Sequence, residues 1–205
     1  MVESINVVIA EDEAIIRLDL KESLEAEGYE VIGETGRGDE VIDLVRKLEP
    51  DLVILDIKMP GMNGLDAAKV ISEEGLAAVI LLTAFSQQDL IKEAGNAGVL
   101  AYLVKPFQRS DLVPSIELAL SRFKEISGLK EETQMLRESL ETRKLIDRAK
   151  GVLVDNYGLK ESDAYRYLQK KAMGDRTTMR AIAEGILEDT SNFDMDSSKK
   201  MDNKL

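Results

Sequence analysis

The sequence predicts an α/β domain on a parallel five-stranded sheet, followed by a long helix and a small helical unit. Three observations lead there. Short runs rich in Val, Ile and Leu recur along the first hundred residues, with Pro, Gly or acidic breaks behind them. The stretches between them carry apolar residues at helical spacing over about 10–14 residues, the signature of parallel βαβ units. Beyond Ser110 the strand signals cease and only helical spacing remains.

The first strand is Ile5-Asn6-Val7-Val8-Ile9-Ala10, and it ends in three consecutive acids, Glu11, Asp12 and Glu13. Ile15, Ile16, Leu18, Leu20 and Leu24 then recur at helical spacing, as do Val41, Ile42, Leu44, Val45 and Leu48. Gly33-Glu34-Thr35-Gly36-Arg37-Gly38 lacks both the dinucleotide fingerprint and a P-loop Lys-Ser/Thr, and reads as a turn. A buried strand, Leu52-Val53-Ile54-Leu55, closes on Asp56 and breaks at once into Ile57-Lys58-Met59-Pro60-Gly61-Met62-Asn63-Gly64. Ala78-Val79-Ile80-Leu81-Leu82 ends in Thr83-Ala84, and Leu100-Ala101-Tyr102-Leu103-Val104 ends in Lys105-Pro106-Phe107. With the helices between them, the pattern makes five strands and five helices.

The fifth helix is expected to start near Ser110 as N-cap, with Pro114 early enough to be tolerated in its first turn. No strong stop follows until Tyr157-Gly158, where Gly suits the left-handed position after a helix. Ile126, Leu129, Thr133, Leu136 and Leu140 alternate at spacings of three and four, a heptad seam set among Lys124, Glu125, Lys130, Glu131, Glu132 and Glu138. A rod over 110–156 would span roughly 70 Å. Gly128 costs it about 1 kcal/mol relative to Ala and is a place to bend or break. The same spacing also fits an amphipathic helix folded back on its own chain. Residues 143–190 read as three short helices. The first runs through Arg143 to Val154. The second spans Ser162 to about Met173, with Ala164, Tyr165, Leu168 and Ala172 on one face. The third opens at Asp175-Arg176-Thr177-Thr178 and buries Met179, Ile182, Ala183, Ile186 and Leu187. Met173 is assigned to the core with Met179.

In an open parallel sheet the C-terminal strand ends share one edge, where reactive groups collect. Carboxylates crowded there repel by roughly 4 kcal/mol per close pair at an effective dielectric of about 20, so a cation should sit among them. The ligands are few and all oxygen, and the chain has no His and no Cys, which favours Mg²⁺ over calcium or zinc. A hydroxyl, Thr83, and an ammonium, Lys105, face the same edge. Together with Mg²⁺ they could stabilise a phosphoryl group transferring to the Asp56 carboxylate. Any one of these residues has a plainer reading, such as a helix cap for Asp12 or packing for Tyr102.

Residues 1–120 resemble the receiver domain of two-component response regulators, on Glu11-Asp12, Asp56, Thr83, Tyr102 and Lys105-Pro106 in order. The resemblance implies a flavodoxin-like (βα)5 fold with strand order 2-1-3-4-5. It implies that Asp56 accepts a phosphoryl group from the phosphohistidine of a sensor histidine kinase. Asp12, Asp56 and the backbone carbonyl of Lys58 would ligate Mg²⁺ with Glu11 assisting, and Lys105 would pair with the phosphoryl group across a cis Lys105-Pro106 bond. Thr83 and Tyr102 would be the switch pair.

Residues 143–190 resemble the ANTAR output module of AmiR- and NasR-type transcription antiterminators, on Arg143, Ile146, Ala149-Lys150-Gly151, Leu153, Ala164-Tyr165, Leu168, Ala172-Met173, Arg176 and Ala183. That implies binding to RNA hairpins in leader transcripts. The candidate contacts are Arg143, Lys144, Arg148, Lys150, Arg176 and Arg180 for phosphates, with Tyr165 or Tyr157 stacking on a loop base. For any single one of these cations the plain alternative is a solvated surface, and for Tyr165 a core position. The domain plan is then a receiver at 1–120, a coiled-coil linker helix at 121–142, the ANTAR unit at 143–190 and a disordered tail at 191–205.

Composition agrees. The net charge of −12 sits in the receiver segment, where 10 Lys and Arg face 23 Asp and Glu; residues 143–190 carry 10 against 8, a small positive excess. The 205-residue chain, 44% apolar, can hold one α/β domain and a smaller second one. No apolar run of membrane-spanning length, no secretory leader and no cysteine make the cytoplasm the expected compartment and a membrane partner unexpected. A homodimer through the linker or the receiver is open. Two other classes are weighed. A DNA-binding transcription factor would need a turn and recognition helix that the three helices do not clearly show. An aspartyl-phosphate hydrolase would need an acid two residues after the nucleophile, where Lys58 stands, so no enzymatic turnover is expected.

Overall fold

The structure, a computed structural model, describes residues 4–84 and 97–188. Its elements in chain order are β1 (Asn6–Ala10), α1 (Ala14–Ala26), β2 (Glu30–Thr35), α2 (Gly38–Leu48), β3 (Leu52–Asp56), α3 (Gly64–Glu74), β4 (Ala78–Thr83), β5 (Ala101–Val104), α4 (Arg109–Tyr157), α5 (Glu161–Gly174) and α6 (Met179–Glu188). The chain divides into two compact units, Met1–Leu129 and Lys130–Leu205. The helix expected between β4 and β5 and the tail at 191–205 fall, wholly or in large part, outside the described residues.

In the first unit the strands pair in parallel in the order β2-β1-β3-β4-β5, the flavodoxin-like order. Successive side chains on a strand point to opposite faces, and both faces are covered. Val8, Ala10, Val53, Leu55, Val79 and Leu81 pack against α2 and α3. Val7, Ile9, Leu52, Ile54, Ile80 and Leu82 pack with Leu20 and Leu24 of α1 and with Leu112, Ile116 and Ala119 of α4. That two-sided burial is why β3 and β4 read as unbroken apolar runs rather than as alternating ones.

Two local expectations are corrected and two details are added. The segment after Gly33 is not all turn: Gly33, Glu34 and Thr35 belong to β2, and the ladder to β1 is irregular between Val7 and Val8. A Cβ at Gly33 would come 2.6 Å from Leu48 Cδ1, so glycine serves close packing in a strand here rather than chain reversal. Ser110 lies inside the first turn of α4, where Gln108 N–H donates to Asp111 Oδ2 at 3.0 Å, and Pro114 falls one turn later than expected. Ile15 and Leu18 of α1 are exposed, because Leu20 and Leu24 take the buried face and positions 15 and 18 lie together on another. Gly128 neither breaks nor ends α4. As expected, the Lys105-Pro106 peptide is cis.

In the second unit the last turns of α4 meet α5 and α6 around Ala149, Leu153, Ala164, Leu168, Ala183 and Ile186. Gly158 follows α4 with φ +67°, the expected left-handed stop. Thr178 Oγ1 accepts from Ala181 N–H at 3.2 Å and caps α6. Met173 and Tyr165 are corrected. Met173 is 75% exposed and Tyr165 47% exposed, since Ala164, Leu168 and Ala172 already fill the inward stripe of α5.

A methyl added at Gly38 would overlap the Met62 carbonyl oxygen, whereas one at Gly128 meets nothing within 4 Å. Gly38→Ala is expected to lower stability by about 1–3 kcal/mol in urea denaturation. Gly128→Ala should raise helix stability by up to about 1 kcal/mol, seen as a higher melting temperature by circular dichroism.

Candidate functional site

Direct pairing of β1 with β3, Ala10 opposite Leu55, sets Glu11 and Asp12 beside Asp56 at the C-terminal edge of the sheet. β4 and β5 complete the edge: Thr83 closes β4, and Lys105 N–H donates to the Thr83 carbonyl at 2.8 Å. Glu11, Asp12 and Asp56 each offer a carboxylate oxygen, all within 4.8 Å of one another. Glu11, Asp56 and Thr83 are buried, while Asp12 faces solvent.

Lys105 bridges the two buried acids. Its Nζ lies 2.5 Å from Glu11 Oε2 and 3.1 Å from Asp56 Oδ1. Burial pushes the Glu11 carboxyl above its ordinary value, and the charge on Asp56 adds to this against the pull of Lys105. Burial works to lower the Lys105 ammonium, but the two carboxylates outweigh it and hold its pKa above the ordinary lysine value. Glu11 Oε2 has this ion pair but no aligned hydrogen-bond donor. A buried, incompletely satisfied oxygen within reach of two more carboxylates fits a hard cation, and the donor set contains no nitrogen or sulfur.

The loops around the acids are fixed by backbone contacts. Gly64 N–H donates to Ile57 O at 2.9 Å, Asn63 Oδ1 caps α3 by accepting from Leu65 N–H at 2.9 Å, and a methyl at Gly64 would overlap the Asp56 carbonyl oxygen. Gly38 N–H donates to Pro60 O at 3.0 Å. A groove of about 440 Å³ beside the acids is lined by Asp12, Ile57, Lys58, Met59, Pro60 and Asn63. Tyr102 on β5 is 46% exposed. Arg17 was not anticipated from the sequence. Its Nη1 donates to the Glu11 carbonyl and its Nε lies 3.5 Å from Glu34 Oε2, tying the acid-bearing turn to β2. A basic residue one turn into an amphipathic helix carries no signal that distinguishes it from a solvated one.

In the second unit Arg143, Lys144, Arg148 and Arg176 are exposed. Lys150 is pinned between Asp147 Oδ1 and Glu161 Oε1, both at 2.9 Å, and Arg180 Nε donates to Glu184 Oε1 at 2.9 Å. Lys150 and Tyr165 line one groove, whereas the other five candidate cations and Tyr157 lie outside its lining.

Acids, hydroxyl and lysine converging on one edge of this sheet define a response-regulator receiver, and the model of the response regulator receiver domain matches residues 7–117. The ANTAR domain model matches residues 134–187. The chain belongs to the response regulators, in the group that joins a phosphorylation-controlled receiver to an RNA-binding antitermination module of the ANTAR type. The ANTAR match displaces the DNA-binding alternative. Transcriptional regulatory protein PdtaR of Mycobacterium tuberculosis is 54% identical over 182 residues, 89% of each chain. Chemotaxis protein CheY of Thermotoga maritima is 41% identical over 111 residues, 54% of this chain and 92% of its own. Among solved structures, the signal receiver domain of a response regulator NarL from Mycobacterium tuberculosis superposes with a TM-score of 0.56 at 26% identity, over 58% of this chain and 98% of that one.

Lys105→Met removes the cation between Glu11 and Asp56. In chelator-treated buffer it is expected to cost about 1–3 kcal/mol by urea denaturation. Adding Glu11→Gln should recover most of that loss, because both members of the pair then lose their charge; an equal loss in the double variant contradicts the bridge.

Proposed function

We propose that Asp56 is the phosphoacceptor of this receiver and that its phosphorylation controls the grip of the ANTAR unit on hairpins in leader RNA. Transfer breaks the P–N bond of the kinase phosphohistidine and forms a P–O bond to an Asp56 carboxylate oxygen. Lys105, already within 3.1 Å of that carboxylate, neutralises the incoming charge. Thr83 supplies a hydroxyl to the phosphoryl oxygens, and Tyr102 responds to Thr83. Mg²⁺ is the fitting metal: Glu11, Asp12, Asp56 and the Lys58 backbone carbonyl would hold it, and it would supply charge stabilisation to the transferring oxygens. The observation that carries the reading is the Lys105 bridge between Glu11 and Asp56 at the edge where Thr83 also ends.

The domain plan follows: receiver at 1–120, linker helix at 121–142, ANTAR unit at 143–190. Arg143, Lys144, Arg148 and Arg176 would follow phosphates, with Tyr165 as the aromatic contact, while Lys150 and Arg180 are held by neighbouring carboxylates. An excess of two cations over 143–190 is small, so two output units in one homodimer would strengthen binding by effective concentration. Leu136 and Leu140, both exposed on α4, offer apolar positions for pairing copies. No helix among the described residues is long and apolar enough to cross a membrane, which fits a cytoplasmic regulator.

Asp56→Asn tests the proposal. It should abolish phosphoryl incorporation from a small phosphodonor in the presence of Mg²⁺. Hairpin-RNA affinity, measured by filter binding, should lose its response to that donor; a variant that still responds in full contradicts the gating.

A further inference from the structure

The second unit carries a groove that its helical packing does not explain. It holds about 430 Å³ and is lined by Lys150 of α4 and by Glu161, Ser162, Tyr165, Arg166 and Gln169 of α5. Ser162, Tyr165, Arg166 and Gln169 stand at i, i+3, i+4 and i+7, so they form one stripe along the helix, and all four are exposed. The adjoining stripe, Ala164, Leu168 and Ala172, is buried. The helix thus has a buried face without Tyr165, and the aromatic ring is left half-exposed at the border between that face and the polar one. Tyr167, two residues on, shows the contrast: it packs against the core, and burial pushes its hydroxyl up to about 12.

From this we infer that the α5 stripe is a subsite for a single unpaired RNA base, a deepening that rests on the RNA reading above. An exposed ring offers a platform to the π-face of a base, which is sequence-tolerant. Gln169 brings one amide oxygen and two N–H donors, and Ser162 a hydroxyl that both donates and accepts, enough to read a base edge on either side of the ring. Arg166, beside Tyr165 on the same stripe, supplies the cation for the attached phosphate. Lys150 has a different part. Its ammonium is held by Asp147 and Glu161, so it shapes the groove wall and ties α4 to α5 instead of meeting a phosphate. The mixture of one aromatic, two neutral hydrogen-bonding side chains and one unpinned cation suits an unstacked nucleotide better than duplex, whose bases present no face to a ring.

The test uses the full chain, treated with a small phosphodonor and Mg²⁺, and a pool of RNA hairpins with randomised loops. The tightest binder is then scanned with one abasic nucleotide at a time. Tyr165→Ala should weaken binding about 5- to 100-fold, the worth of one stacked base, and Tyr165→Phe should stay near wild type. One abasic loop position should weaken the wild-type chain by a similar factor and leave Tyr165→Ala unaffected. Gln169→Ala should change which base is preferred at that position. Wild-type affinity in Tyr165→Ala, or additive losses at every loop position, overturns the subsite and leaves the RNA reading standing. A wild-type chain that binds no hairpin in the pool overturns both.

Discussion

The structure turns on the repulsion it gathers at one edge of the sheet. Parallel pairing of β1 with β3 forces Glu11, Asp12 and Asp56 within 4.8 Å of one another, and two of the three are buried. Unopposed, each close pair of carboxylates would cost roughly 4 kcal/mol at an effective dielectric of about 20. Lys105 opposes it from the end of β5, and Arg17 restrains the turn that carries the acids. The same compensation makes the edge responsive to charge.

Much of this was legible in the sequence because the sheet is covered on both sides. Two-sided burial leaves β3 and β4 as continuous Val/Ile/Leu/Ala runs, and the residue at the end of each such run is the one that reaches the edge. Asp56 and Thr83 could be read off for that reason, whereas Lys105 follows the partly exposed edge strand β5. What could not be read was set by partners distant in sequence. Gly33 is strand because Leu48 packs over it, which no local pattern announces. Ile15 and Leu18 look like core at helical spacing, yet Leu20 and Leu24 hold that face. Tyr165 and Met173 lie next to the inward residues of α5 at helical spacing, yet Ala164, Leu168 and Ala172 take the buried face and leave both exposed. Arg17 acts through a backbone carbonyl, a contact with no sequence signature.

Charge is partitioned as sharply as structure. The receiver segment carries the whole acidic excess, and the segment after residue 143 is mildly basic. Several of those basic side chains are committed to neighbours: Lys150 to Asp147 and Glu161, Lys171 to Asp175, Arg180 to Glu184. Formal charge therefore overstates what the second unit can offer a polyanion.

The contact of Gly64 with the Asp56 carbonyl has a mechanical consequence. Backbone meets backbone there with no side chain between to yield, so the end of β3 and the start of α3 behave as one anvil. Any residue larger than glycine at position 64 would have to push the end of that strand and the head of that helix apart.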